Sequence, residues 1–119
     1  MINNILLVGM GGAAGSMLRY LCQRTFNVSY FPYGTLLVNI LGCFLVGLLM
    51  GLFSKNSVPE SLKLLLIVGF CGGFTTFSSF ASEGLLFIQK DQWILMAAYA
   101  GISVFLGLLA SFFGYKLFL

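Results

Sequence analysis

In the middle of the third apolar segment of the chain lies the sequence Gly72-Gly73-Phe74-Thr75-Thr76-Phe77-Ser78-Ser79-Phe80. Glycines, hydroxyl side chains and phenylalanines stand here, where a helix that crosses lipid would be uniformly apolar. Backbone polar groups cannot stay unpaired in hydrocarbon, so non-helical backbone at that depth is tolerated only when it is buried in protein or lines a wet cavity or ion site. The stretch therefore predicts a membrane helix that is broken mid-membrane, at Gly72-Gly73, and that serves permeation or ion coordination.

The composition of the remaining chain is that of a membrane protein. Of its 119 residues, 60% are hydrophobic and 8% are charged, and the mean hydropathy is +1.04. A helix needs about 20 residues to cross roughly 30 Å of hydrocarbon. Four segments are long enough, and we expect one all-α, four-helix transmembrane domain over residues 1–119, with approximate spans 3–24, 33–53, 61–89 and 92–118. The connections are short, so any function must lie among the helices.

The side-chain inventory argues against metalloenzymes and against catalysis by histidine. The chain has no His, and its cysteines never form a Cys-x-x-Cys pair. Transition-metal sites and histidine acid–base chemistry therefore lack their usual groups, and we do not expect an enzyme. We interpret the cysteines as small packing residues. The groups concerned are the acids Glu60, Glu83 and Asp91 and the thiols Cys22, Cys43 and Cys71.

Glycines recur at a spacing of four residues in three of the apolar segments. Residues 5–15 also imitate the strand and glycine turn of a dinucleotide fold, but the first acid of the chain is Glu60, so the acidic residue about 20 positions on is missing. Small residues four positions apart let membrane helices approach closely. We therefore expect tight helix packing, within a subunit or between two, at the pairs Gly11 and Gly15, Gly47 and Gly51, and Gly69 and Gly73.

Polar side chains recur one turn apart on two of the predicted helices. Thr35 and Asn39 share a face of the second helix, and Tyr99, Ser103 and Gly107 form a stripe on the fourth. Each polar side chain can be interpreted in two ways. It either forms a hydrogen bond between or within helices, or it is a donor that points into a pore.

Three phenylalanines follow the glycine pair at a spacing of three residues. Phe74, Phe77 and Phe80 would lie along one helical stripe, bordered by hydroxyl side chains. Phenylalanine in a membrane helix ordinarily packs or contacts lipid. An aromatic ring has a positive edge and a negative face, so rings beside a polar path would suit an anion edge-on or a cation face-on.

At this point three stretches resemble the signature sequences of a known family. Residues 11–20 (GGAAGSMLRY), 34–42 (GTLLVNILG) and 69–80 (GFCGGFTTFSSF) look like those of the Fluc (CrcB) family of fluoride channels, in matching order over most of the chain. The resemblance implies a passive, fluoride-selective channel that exports cytoplasmic fluoride. It also implies an antiparallel, dual-topology homodimer in the cell inner (plasma) membrane, surrounded by lipid, with a structural sodium ion on the dimer axis. No nucleic acid partner is expected.

The resemblance also assigns roles to individual residues. The fluoride pore would be formed by Asn39, Thr76, Phe77, Phe80, Tyr99 and Ser103. The vestibule region would contain Arg19, Thr35 and Glu83. Backbone carbonyls of Gly72 and Thr75 would bind the sodium, two from each subunit. One departure is Gly107, since some relatives carry a hydroxyl there.

Two other classes remain open. A small proton-coupled exporter can also have four helices and dual topology, but it needs a carboxylate buried mid-membrane, and Glu83 near the end of the third span is the only candidate. A non-transporting scaffold would explain the glycines but not the polar break. A measurement of fluoride efflux from liposomes separates these classes.

The basic residues are balanced between the two sides of the predicted bundle. Arg19, Arg24 and Lys90 lie on one side, and Lys55, Lys63 and Lys116 lie with the termini on the other. Membrane orientation normally follows an excess of Lys and Arg on the cytoplasmic side. Three against three predicts that both orientations form.

Overall fold

Four long helical spans account for most of the structure, a computed structural model that describes residues 1–118. All four are long and apolar enough to cross a membrane, which confirms the predicted all-helical class and the number of spans. Helix α1 is Ile2–Phe26, α2 is Tyr33–Lys55, the third span is Glu60–Gln89 and the last helix is Trp93–Lys116. We number the two halves of the third span α3 (residues 60–74) and α4 (Phe77–Gln89), and the last helix α5.

The third span is broken, as predicted, but the break lies after the glycine pair. Gly72 keeps helical backbone angles (φ −62°, ψ −37°), and the helix continues to Phe74. Thr75 and Thr76 then become extended, with ψ 157° and 120°. The expected position at Gly72-Gly73 was therefore wrong by about one turn, because both glycines keep the helical backbone and Gly73 makes close contact with Gly12 of α1.

The shifted break also corrects the predicted phenylalanine stripe. Phe74 ends α3, whereas Phe77 and Phe80 lie on α4, so the three rings do not share one helix face. Phe74 is buried and stacks on Phe70 with 5.9 Å between ring centroids. It is a packing residue of α3. Upstream of it, Leu64–Cys71 forms wider, π-helical turns.

Helix α1 packs against α3 through the predicted glycines. A Cβ atom on Gly11 or Gly15 would collide with a backbone carbonyl oxygen of α3, and one on Gly73 would lie 2.5 Å from the carbonyl oxygen of Gly12. The two backbones are thus in direct contact over two turns, as the four-residue spacing predicts.

Helices α2 and α5 form the second close pair. Gly47 faces the carbonyl of Ser111, Gly51 faces that of Tyr115, and Gly114 on α5 faces that of Phe44. About half of the large apolar side chains are exposed, and few residues are fully buried within one chain. An exposed apolar surface of this extent suits contact with lipid or with another protein surface.

Candidate functional site

The broken backbone is held in place by one side chain. Asn39 Nδ2 donates to the carbonyl oxygen of Thr76 at 3.1 Å, and Asn39 Oδ1 accepts from the N–H of Thr76 at 2.8 Å. The amide therefore pairs with both polar groups of one extended residue, much as a neighbouring strand would. This satisfies backbone that would otherwise be unpaired at membrane depth. One N–H of the Asn39 amide remains for another acceptor.

The two threonines at the break serve different helix halves. Thr75 continues the α3 pattern, because both its N–H (3.0 Å) and its Oγ1 (2.9 Å) donate to the carbonyl of Cys71. Thr76 caps α4, since its Oγ1 accepts from the N–H of Ser79 at 3.1 Å. Because the Thr76 N–H donates to Asn39, the carbonyl of Gly72 loses its usual partner four residues on.

A cavity of about 280 Å³ lies beside the break. Five of the predicted pore residues line it, together with three others: Asn39, Thr76, Phe77, Phe80 and Ser103, and also Cys43, Thr75 and Val104. The structure thus brings together side chains that are up to 65 positions apart in the chain, Asn39 and Val104. The lining contains amide, hydroxyl, thiol and aromatic groups and no formal charge.

Two features describe the polarity and the openness of this cavity. The hydroxyl oxygen of Ser103 is buried and has no hydrogen-bond partner among the described residues. A buried polar group that lacks a partner costs about 1–3 kcal/mol, so such a group usually has a role or a bound water or ion. The ring of Phe77 is 79% exposed in the single chain, and its centroid lies 5.6 Å from that of Phe80. The cavity is therefore open on the side of Phe77.

Tyr99, the sixth predicted pore residue, does not line this cavity. It is fully buried, and its hydroxyl donates to Glu83 Oε2 at 2.9 Å. Its ring packs against that of Phe80, with 5.0 Å between centroids. Tyr99 and Ser103 share a face of α5 as the spacing predicts, but the Tyr99 hydroxyl is bound to Glu83, whereas the Ser103 hydroxyl has no partner among the described residues.

The predicted vestibule residues lie in one hydrogen-bond network. Thr35 Oγ1 donates to Glu83 Oε1 at 2.6 Å and accepts from Gln23 Nε2 at 3.0 Å. Arg19 donates from a terminal nitrogen to Gln23 Oε1 at 3.4 Å and from Nε to the carbonyl of Gly73 at 3.0 Å. The network thus runs from the end of α3 through α1 and α2 to the carboxylate on α4.

Sequence reasoning missed three residues of these sites. Gln23 joins Arg19 to Thr35, and Asn27 donates to Glu83 at 3.4 Å and accepts from the N–H of Gly34 at 2.6 Å. A signal for both was present, since Arg19 and Gln23 on α1 and Asn27 directly after its end recur every four residues. Cys43 lines the cavity one turn beyond Asn39 on α2, a spacing that could have indicated it.

Comparison with known proteins identifies the family. A family model described as "CrcB-like protein, Camphor Resistance (CrcB)" matches residues 6–115. A relative from Flavobacterium psychrophilum, named "Fluoride-specific ion channel FluC", is 43% identical over 95% of this chain and 94% of its own length. Proteins of the same name from Pseudomonas syringae pv. tomato and a Shewanella species are 46% and 40% identical, over 98% of this chain and 98% and 96% of theirs. The chain is therefore a multi-pass membrane protein that belongs to the CrcB family.

Proposed function

We propose that this chain forms a passive, fluoride-selective channel in the plasma membrane, with no enzymatic activity, and that it exports cytoplasmic fluoride. The relatives described above carry the name of a fluoride-specific ion channel and match over nearly the full chain. The observation that carries the proposal is the cavity beside the break, where Asn39, Ser103 and two phenylalanine rings meet without a fixed charge.

The chemistry of the cavity suits a small anion. Fluoride holds its hydration water strongly, so a path must replace that water with closely placed donors. The remaining N–H of Asn39 and the unpartnered hydroxyl of Ser103 are such donors, and the edges of Phe77 and Phe80 would add weak positive charge. No Lys or Arg lines the cavity, so no fixed charge would hold the ion and slow its exit.

The direction of transport follows from acid–base chemistry and the membrane potential. Neutral hydrogen fluoride crosses bilayers and dissociates in a less acidic cytoplasm, which traps fluoride there. An inside-negative potential favours outward movement of an anion by about 2.3 kcal/mol per 100 mV. A passive pore is then sufficient for export.

The open side of the cavity supports an antiparallel homodimer. A second copy would cover the exposed ring of Phe77 and close a path that a single chain leaves open. Opposite orientations agree with the equal distribution of basic residues, and a twofold axis in the membrane plane would bring two helix breaks together.

A structural sodium ion on that axis is part of the proposal. The carbonyl of Gly72 has lost its helical partner, and the Thr75 carbonyl belongs to the break itself. Carbonyl oxygens are ligands for hard cations. Two from each copy would complete a site of four oxygens that contains no side-chain charge.

The sodium site predicts a specific ion dependence. Replacement of sodium by N-methylglucamine should lower the stability of the dimer, measured as its melting temperature in detergent. Thr75→Ala should keep this sodium dependence because the ligand is backbone, whereas Gly72→Pro, which disturbs the backbone, should abolish it. Equal stability in both cations would contradict a sodium role.

Neither alternative function explains the cavity. Glu83, the only acid of the third span apart from Glu60 at its start, accepts hydrogen bonds from Thr35, Asn27 and Tyr99 and does not line the cavity. A proton-coupled exporter would need such a carboxylate in the transport path. A scaffold would need neither the unpartnered Ser103 hydroxyl nor the polar break.

Efflux from liposomes tests the proposed function. Protein is reconstituted with internal potassium fluoride, valinomycin relieves charge build-up, and an electrode records external fluoride. We expect efflux without ATP or a proton gradient, and strong rejection of chloride in matched liposomes. Protein-free liposomes are the control. Comparable chloride efflux, or fluoride efflux that requires a proton gradient, would disprove the channel.

A further inference from the structure

Two side chains of helix α2 line the cavity, and only one of them forms hydrogen bonds to the broken backbone. Asn39 and Cys43 are four residues apart and line the same cavity. Asn39 is committed to Thr76, as described above. Cys43 is half-buried and forms no disulfide. The sulfur therefore lies one helical turn along the cavity wall from the amide that holds the break.

The facing helix α5 leaves a gap at the level of this thiol. Ser103 lines the cavity, and one turn further α5 has Gly107, which carries no side chain. A Cβ atom built on Gly107 would have one near neighbour, Cys43 Sγ at 3.4 Å. The thiol therefore covers Gly107 and occupies the place where a side chain of α5 would otherwise continue the stripe from Ser103.

A second contact fixes the backbone of Cys43. Ser111 Oγ on α5 donates to the carbonyl of Cys43 at 3.0 Å. This bond ties α2 to α5 at the residue itself, next to the contacts of Gly47 described above. The backbone that carries the thiol is thus fixed against α5, and the thiol has a defined place in the wall.

The unpartnered hydroxyl of Ser103 is an independent sign that this wall faces an occupant. Its buried oxygen lacks a protein partner in the same cavity that Cys43 lines. Buried polar atoms of this kind are usually paired with water or an ion. A water molecule or ion that binds the Ser103 hydroxyl would lie in this cavity of about 280 Å³, whose wall includes the Cys43 thiol.

We propose that Cys43 lines the permeation path of this channel, where its thiol takes the place left by Gly107, and that small mercurials block the path by binding there. This inference rests on the proposed function. A thiol is a weak hydrogen-bond donor and, when deprotonated, a strong ligand for soft metals. With methylmercury chloride, an S–Hg bond forms as the Hg–Cl bond breaks. Chloride leaves with the bonding electrons, the thiol proton passes to water, and nothing is oxidised.

The experiment compares efflux before and after the reagent in the same liposomes. Native protein should lose most of its fluoride efflux after methylmercury chloride, and excess dithiothreitol should restore it by removing the mercury. Cys43→Ser should keep its own initial rate after the reagent. Cys22→Ser is the matched control and should be blocked like the native protein, because Cys22 lies on α1 and does not line the cavity.

Mass spectrometry of the labelled protein gives a readout that does not depend on transport. We expect a methylmercury adduct on Cys43 and much less on Cys71, which is 1% exposed. Unlabelled Cys43 in folded protein, or labelled Cys43 with unchanged efflux, would overturn the inference. Absence of fluoride efflux before the reagent would instead disprove the proposed function, and labelling would then still show whether the cavity admits the reagent.

Discussion

At the scale of single residues, the amide of Asn39 combines two tasks that the sequence presented as alternatives. It is satisfied by an interhelical contact, through its pair of hydrogen bonds to Thr76, and it also lines the cavity with one N–H to spare. A side chain with two donors and one acceptor can do both. The structural and functional interpretations of Asn39 are therefore compatible.

Asn39→Asp should abolish fluoride efflux. The carboxylate places an acceptor against the carbonyl of Thr76, which repels it, and adds negative charge to the proposed path of an anion. Asn56→Asp is the matched control, since Asn56 Nδ2 also donates to a backbone carbonyl, that of Leu52 at 2.9 Å, but at the exposed end of α2. Efflux at the native rate from folded Asn39→Asp protein would contradict the assigned role.

Phe77→Ile and Phe80→Ile should each slow fluoride efflux while the protein still folds. Isoleucine keeps bulk but loses the positive ring edge. Loss of an interaction as strong as an aromatic pair, about 0.5–1.5 kcal/mol, corresponds to roughly a two- to tenfold drop in rate. Phe112→Ile, an exposed ring on α5 that does not line the cavity, is the control. Unchanged rates in both variants would make these rings packing residues.

At the scale of the helices, the glycines determine which backbones can touch. Gly47 has the carbonyl of Ser111 where a Cβ would be, whereas Gly101 on α5 has open space around it. Glycine is therefore required for helix packing at residue 47 and is not required for it at residue 101. On one it permits contact between α2 and α5, and on the other it only adds backbone freedom.

Gly47→Ala should destabilise the fold, and Gly101→Ala should not. The added methyl at residue 47 would push α2 from α5 and cost about 1–3 kcal/mol. At residue 101 it meets nothing within 4 Å and should be neutral or stabilising, by up to about 1 kcal/mol, since alanine is the better helix former. Thermal unfolding in detergent measures both, and equal melting temperatures for the two variants would refute this account of α2–α5 packing.

At the scale of the whole molecule, the single chain leaves its proposed site unfinished. The cavity is open beside Phe77, and about half of the large apolar side chains are exposed. The balance of basic residues gives the insertion machinery no preferred orientation. An antiparallel homodimer would explain both observations, and we propose it as the functional oligomer.

Additional Lys residues at the C-terminus should bias the chain towards one orientation and lower fluoride efflux. Co-expression with a variant biased the opposite way should restore it, because only mixed orientations can form the antiparallel pair. A C-terminal reporter read on both sides of the membrane measures the bias. The proposal would not survive if the unmodified protein were found almost entirely in one orientation, or if the biased variant alone were fully active.

Three features could be predicted from the amino-acid sequence alone: the membrane-spanning helices, the close glycine contacts and the existence of a break. These follow from local rules, since lipid requires long apolar helices and small residues one turn apart permit helix contact. The four spans and the contacts of Gly11, Gly15 and Gly47 agree with those rules.

The position of the break and the partners of the polar groups depend on how the helices pack against each other. The backbone leaves the helix at Thr75 and Thr76, where Asn39, 37 residues away, replaces the lost helical partner. Tyr99 and Ser103 share one helix face, yet one is bound to Glu83 and the other faces the cavity. Hydrogen-bond partners depend on how separate helices are packed, and spacing along one helix carries no information about the side chains that face it.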